Sequence, residues 1–224
     1  MLELNLQGIK ARLGEAAAKR GISPETITLV AVSKTVSAEQ IRRACDLGIS
    51  HFGENRLQDA LPKIAELPMV PCWHFIGHLQ TNKIKQVLDN FKLIQSLDRL
   101  KLARALQQEG EKQDRMINVL LQVNIGKEES KYGFQTEEVE DALATVAEYP
   151  NIRVQGLMAL APFYDDPEEA RPYFRRLYHT FKSVNIPGVE MKILSMGMTN
   201  DFEVAVEEGS NMVRVGTALF GERA

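Results

Sequence analysis

Two cysteines in 224 residues, Cys45 and Cys72, leave no material for a disulfide framework or a cysteine-rich zinc site, and the pair suits a reducing compartment. No apolar run approaches the ~20 residues that a membrane-spanning helix needs. The start, Met1-Leu2-Glu3-Leu4-Asn5, has neither the basic segment nor the apolar stretch of a secretory signal. Charge of one sign is not in excess either. With 27 basic and 30 acidic side chains the formal net charge is −3, which is no electrostatic footprint for nucleic acid or an anionic membrane. Linkers rich in Pro, Gly or Ser and low-complexity tracts are missing too, so residues 1–224 are expected to form one domain. What is present is ordinary globular usage, 44% hydrophobic and 25% charged, which excludes a disordered or fibrous chain. Together these features predict a cytoplasmic protein with neither a membrane nor a nucleic-acid partner.

Strand and helix patterns alternate from end to end. Leu2 to Arg20 reads as an amphipathic helix with Leu6, Ile9 and Leu13 on one stripe, ended by Gly21. Thr28-Leu29-Val30-Ala31-Val32-Ser33-Lys34 is a short β-branched run of the kind buried on both faces of a parallel sheet. Ser37 suits the N-cap of the next helix, whose inner side carries Ile41, Ala44 and Cys45. Further strands are expected at His51–Asn55, Cys72–Gly77, Leu93–Asp98, Asn118–Asn124, Arg153–Leu160, Lys192–Met196 and Met212–Val215, with helices near 56–66, 80–90, 99–113, 135–148, 167–185 and 200–208. Eight strands give about 28 residues per unit, the size of one βαβ step.

A closed (β/α)8 TIM barrel and an open doubly wound sheet both fit this alternation. A dinucleotide-binding sheet carries a glycine-rich turn after its first strand, and Ser33-Lys34-Thr35-Val36 contains no glycine. Eight similar units also favour closure, because a barrel leaves no edge strand to protect. The expected fold is therefore the barrel, with its chemistry at the carboxyl ends of the strands. Polar residues expected there are Lys34, Asn55, His78, Ser96, Asn124, Ser195 and Arg214.

Each has a bland alternative. A lysine leaving a strand usually just reaches water, and Asn55 in Gly53-Glu54-Asn55-Arg56 suits a helix N-cap. His74 and His78 are four apart, but one lies in a strand and no carboxylate follows at metalloprotease spacing, so the pair is a weak zinc signal. Cys72 reads most simply as a small core residue. The segments after strands seven and eight say more. Ser195-Met196-Gly197-Met198-Thr199-Asn200 opens a helix, and Arg214-Val215-Gly216-Thr217 turns straight into Ala218-Leu219-Phe220-Gly221. Small and hydroxyl residues after those two strands match the usual phosphate site of the fold, where backbone N–H groups face the anion and glycine lets it approach.

Several segments resemble one family throughout the chain. These are Ala31-Val32-Ser33-Lys34, His51-Phe52-Gly53-Glu54-Asn55, His74-Phe75-Ile76-Gly77-His78-Leu79-Gln80-Thr81-Asn82-Lys83, Gly156-Leu157-Met158, Leu194 to Asp201 and Arg214 to Gly221. The family is that of the pyridoxal phosphate homeostasis (pyridoxal phosphate-binding) proteins, which is similar to the barrel domain of alanine racemase, a fold-type III arrangement. The resemblance implies pyridoxal 5′-phosphate (PLP) held as a Schiff base at Lys34. It implies Asn55 beside the phenolic side of the ring, Arg214 at the pyridine nitrogen, and Ser195, Gly216 and Thr217 at the phosphate. Thr199 stands where serine is common, and either residue can cap.

The chemistry of these residues agrees with that implication. A neutral amine at the mouth of a barrel attacks an aldehyde. Guanidinium only donates hydrogen bonds, so a pyridine nitrogen facing Arg214 must accept and stay unprotonated, which makes a poorer electron sink. Racemisation needs acid–base groups on both faces of the bound amino acid. In racemase-like enzymes the one opposite the lysine comes from a second domain, whereas only Glu222, Arg223 and Ala224 follow Gly221 here. The expectation is a non-enzymatic, monomeric PLP-binding protein with no metal. It would hold, buffer or deliver the cofactor, with PLP-dependent apoenzymes as recipients and indirect effects on amino-acid and keto-acid balance. The alternatives are a small PLP-dependent racemase or decarboxylase, a PLP-responsive regulatory protein, and a phosphate-binding barrel without PLP. The polar segment 126–133, bounded by glycines, is expected to cover part of the site.

Overall fold

Eight short strands form a ring with no free edge. In the computed structural model, which describes residues 1–70, 72–126 and 132–221, they are β1 (Thr28–Val32), β2 (His51–Glu54), β3 (Cys72–Phe75), β4 (Leu93–Leu97), β5 (Ile117–Val123), β6 (Ile152–Ala159), β7 (Ile193–Ser195) and β8 (Met212–Val215). Each pairs in parallel with the next, and β8 returns to β1 through Thr28↔Met212, Leu29↔Val213, Val30↔Arg214 and Ala31↔Val215. The expected (β/α)8 barrel is therefore the observed one. Residues 127–131, most of the segment expected to cover the site, and residues 222–224 lie outside the described residues.

Helices α1 (Leu2–Lys19), α2 (Ala38–Asp46), α3 (Leu57–Glu66), α4 (Ile84–Asn90), α5 (Leu100–Gln113), α6 (Val139–Ala147), α7 (Arg171–Ser183), α8 (Phe202–Glu207) and α9 (Thr217–Phe220) complete the alternation. Leu6, Ile9 and Leu13 of α1 are buried as the stripe predicts, each contributing roughly 1.5–3 kcal/mol by leaving water. Ser37 caps α2 in a full capping box with Gln40. Three expected helices begin instead as 3-10 turns, Thr81–Lys83, Thr136–Glu138 and Pro167–Ala170, before α4, α6 and α7. Strand β1 stops at Val32 rather than Lys34, because the Ser33 N–H donates to Gly53 O and the Val36 N–H closes a turn on Ser33 O. The four-residue α9 lies where the sequence suggested only a turn.

Strand alternation sorts the apolar side chains into two compartments. One fills the space between strands and helices, with Phe52, Leu121, Phe174 and Phe202 among its fully buried members. The other, inside the ring, is Val30, Leu93, Leu120, Met158 and Met212. That inner plug does not fill the ring. A column of polar side chains shares the interior, and it leads to the mouth formed by the strand carboxyl ends.

Candidate functional site

Four consecutive strands of the ring, β7, β8, β1 and β2, deliver all six residues expected to hold the cofactor. Lys34 follows β1 in a turn, half-buried, and its Nζ makes no hydrogen bond or ion pair among the described residues. Asn55 follows β2. It does not cap α3, whose N-cap is Arg56 with no side-chain bond, and its Oδ1 is buried without a partner among the described residues. An orphaned buried acceptor costs free energy unless something donates to it. The helix-cap alternative is thereby corrected. Beside Asn55 opens a cavity of about 560 Å3 walled by His78, Lys83 and Tyr132.

Gly216 follows β8 as the N-cap of α9 and Thr217 begins that helix, next to β1 by the register of the closing pair. Neither N–H has an acceptor among the described residues, in keeping with the unpaired N–H groups at the start of a helix. Thr199 Oγ1 accepts the Ala218 N–H at 3.4 Å, so the loop after β7 is tied to the start of α9. The preceding glycine, Gly197, has φ +93°, and a Cβ there would lie 2.5 Å from the Cβ of Ala205 and 2.9 Å from the Cα of Phe202. Only glycine lets the loop after β7 fold this tightly onto α8.

Arg214 points into the ring from β8 and is buried. Its Nη1 donates to Ser195 Oγ at 2.5 Å and its Nη2 to Ala159 O at 2.7 Å. Ser195 Oγ in turn donates to Gln95 Oε1 at 2.7 Å, and Gln95 Nε2 lies 2.9 Å from His74 Nδ1. The Ser195 hydroxyl therefore already has one donor and one acceptor, with a single lone pair remaining. Burial pulls the Arg214 guanidinium down to about 10, partly offset by the charge of Asp201, so it remains a cation at neutral pH. Arg214 is thus a fixed positive charge whose direction is set by two oxygen acceptors.

A second set of contacts, invisible in the sequence, positions Lys34 and Asn55. Glu54, fully buried at the end of β2, accepts from Ser33 Oγ at 2.6 Å and from Lys63 Nζ at 2.9 Å through Oε1. Lys63 Nζ also donates to Ser33 O at 2.6 Å. One ammonium on α3 thus pins the residue before Lys34 and the residue before Asn55 together. Gly77 presses on the same place, since a Cβ there would lie 2.0 Å from Asn55 O. The signal that points to Glu54 is an acid at the end of a short strand, right after the apolar Phe52-Gly53. Gln95 carries a comparable one, a polar side chain in the middle of the fully buried Leu93–Leu97.

The remaining polar strand ends have other tasks. His78 Nδ1 lies 2.5 Å from Asp98 Oδ2, and its ring stacks on Tyr132 with centroids 3.9 Å apart. Arg99 joins Asp98 and donates to Leu79 O at 2.9 Å. Ser96 is buried with its hydroxyl unpartnered, and Asn124 is buried after β5. His74 and His78 do not meet: His74 lies inside the ring among the column residues, whereas His78 is at the mouth. Cys72 is not simply a core residue. It is half-buried, with Sγ 3.2 Å from His74 Nε2.

The chain resembles proteins of known name along nearly its whole length. The family described as alanine racemase, N-terminal domain, matches residues 4–224. A pyridoxal phosphate homeostasis protein from Aquifex aeolicus is 41% identical over 220 residues, covering 97% of this chain and 96% of its own. Its counterpart from Escherichia coli is 40% identical over 226 residues, covering 98% and 95%. Among solved structures, PipY of Synechococcus elongatus with PLP bound superposes with a TM-score of 0.82 at 31% identity, covering 99% of this chain and all of that one. An alanine racemase from Corynebacterium glutamicum shares the fold at 18% identity and a TM-score of 0.71, and this chain spans 61% of its length.

Proposed function

The chain belongs to the pyridoxal phosphate homeostasis proteins within the alanine racemase N-terminal domain family, and on that premise we propose that it binds PLP at the mouth formed by β7, β8, β1 and β2. The observation that carries this reading is the buried Oδ1 of Asn55 beside a half-buried lysine, neither with a partner among the described residues. The residues present suit the group. The Gly216 and Thr217 N–H groups and the Thr217 hydroxyl face its phosphate, with Ser195 behind them holding Arg214 in place. Arg214 donates to the pyridine nitrogen, and Asn55 lies at the phenolic side of the ring. When bound, the cofactor supplies an aldehyde that the amine of Lys34 captures reversibly.

The same residues argue for holding rather than turnover. Arg214 offers a hydrogen-bond donor and no proton to give up near neutral pH, so the ring nitrogen beside it stays unprotonated and withdraws electrons weakly. The activity is buffering of PLP within one barrel domain, residues 1–224, acting as a monomer in the cytoplasm and releasing cofactor to apoenzymes. Two unbridged cysteines and, among the described residues, no helix long and apolar enough to cross a membrane are in keeping with that location.

Purified protein mixed with PLP is expected to develop the visible band of a lysine-linked cofactor. Borohydride reduction followed by peptide mass mapping should place the label on Lys34. Amino acids offered to the loaded protein should racemise or decarboxylate far more slowly than ~1 s⁻¹, the low end of ordinary enzyme rates. A label elsewhere overturns the site, and turnover above that rate overturns the holding role.

A further inference from the structure

At the opposite end of the ring from the cofactor mouth, a cavity of about 320 Å3 opens where the strands begin. Cys72 and His74 are two apart on β3 and so share its inner face, and His51 on β2 is the register partner of Cys72. His51 Nδ1 lies 2.9 Å from His74 Nε2, Cys72 Sγ lies 3.2 Å from the same nitrogen, and all three atoms are within 4.8 Å of one another. We propose that His51, Cys72 and His74 form a metal site for a zinc-class transition ion, with a fourth position open to the cavity.

The donor set selects the class of ion. Two imidazoles and a thiolate are ligands of zinc and its softer neighbours, whereas calcium and magnesium need oxygen. No carboxylate lines the cavity among the described residues; its one charged group is Lys92. Tetrahedral bonds of ~2.0 Å to nitrogen and ~2.3 Å to sulfur place ligand atoms roughly 3.4–3.6 Å apart. The trio must therefore open by about half an ångström, and His51 and Cys72, both half-buried on the cavity wall, have room to yield.

Burial acts on the rings and on the thiol in opposite senses, leaving the rings ready to ligate and the thiol with a proton to lose. Burial, and secondarily the neighbouring His51, pushes His74 down to about 3, and burial lowers His51 as well, so both rings are neutral near pH 7. Burial raises the Cys72 thiol, which Lys92 partly offsets. On binding, the S–H bond breaks, a metal–sulfur bond forms and the proton goes to solvent. The open position would hold water. Ligation through His74 Nε2 puts the ring proton on Nδ1, so the Gln95 amide, whose Nε2 faces Nδ1 at 2.9 Å, must turn to accept there and orient the ring. This site stands independently of the PLP reading.

The test is titration of the full-length, reduced, chelator-treated protein with Co2+, followed by Zn2+ in competition with a chromophoric chelator. One equivalent of Co2+ should give a near-ultraviolet sulfur-to-metal band, and Zn2+ should displace it. Cys72→Ser should abolish the band, and both Cys72→Ser and His51→Ala should weaken binding about tenfold or more. Cys45→Ser should change neither readout. Should the variants fold poorly, alkylation of Cys72 in the unaltered chain decides the same question: Zn2+ should slow it at least about tenfold. Absence of stoichiometric uptake, affinity unchanged in folded Cys72→Ser and His51→Ala, a band that follows Cys45, or alkylation indifferent to Zn2+ each overturns the proposal.

Discussion

Ser33, the residue before Lys34, is held by Glu54 and Lys63, while Lys34 itself makes no hydrogen bond among the described residues, so its amine is free to react while its backbone is fixed. In Lys34→Ala we expect a folded protein that loses the visible band and still binds PLP non-covalently, with affinity reduced but retained. Hydrogen bonds to charged groups contribute roughly 1.5–3 kcal/mol each, and those proposed from Arg214, Gly216 and Thr217 do not depend on the lysine. Equilibrium dialysis with an absorbance spectrum checks both halves; a surviving band would point to Lys83. The Glu54–Lys63 pair tests positioning. Glu54 is fully buried, so Lys63→Met leaves an uncompensated charge, a change that costs about 3 kcal/mol or more in such pairs. Denaturant unfolding should show that loss, and the double variant Glu54→Leu/Lys63→Met should recover much of it. Much of the candidate site was legible in the sequence, because Lys34, Asn55, Ser195 and Arg214 are polar residues at or near the ends of apolar runs. Lys63 was not. It looks like any solvated lysine on a helix, and only the fold brings it to Glu54. Asn55 resembled a cap until the structure put Arg56 at that position.

Helices α1, α7 and α8 are joined by a charged network. Arg171 reaches Glu168, Glu207 and Glu208, Lys19 reaches Glu207, and Arg175 reaches Glu208. The hydrogen bond from Arg175 and then that from Arg171 hold Glu208 below its ordinary 4.5, against the opposing effect of burial. Arg171 does the same to Glu168. A carboxylate depressed in the folded state contributes stability that is present above its unfolded pKa and lost as pH falls through its lower folded value. Arg171→Met should therefore cost about 1 kcal/mol near pH 7, and the gap from the unaltered protein should close as pH drops from about 4.5 downward, read by denaturant midpoints. At the turn after β7, Gly197→Ala adds a Cβ into Ala205 and Phe202 at a left-handed φ; we expect a loss of about 2 kcal/mol and weaker PLP binding. At this scale the strands were readable from their apolar, β-branched runs. Their ends were less so. Lys34 carried the expected β1 two residues too far, because the bonds that turn the chain at Ser33 come from β2 and from Val36, and neither shows in local propensity.

Whole-molecule stability should register the cofactor. Ligand at a hundredfold excess over its Kd adds about 2.7 kcal/mol, which in a chain of 224 residues corresponds to a rise in Tm of roughly 5–10 °C. Thermal melts with PLP should show it, and melts with pyridoxal, which lacks the phosphate that Gly216 and Thr217 are proposed to face, should show much less. Closure of the ring between β1 and β8 has a consequence for manufacture. Lys34 leaves the ribosome some 180 residues before Arg214 and Gly216. Until β8 arrives, β1 has an unpaired edge and the proposed pocket lacks its cation and its phosphate cradle. A nascent chain without β8 therefore cannot take up the vitamin B6 aldehyde at this site, and capture there is reserved for chains whose ring has closed.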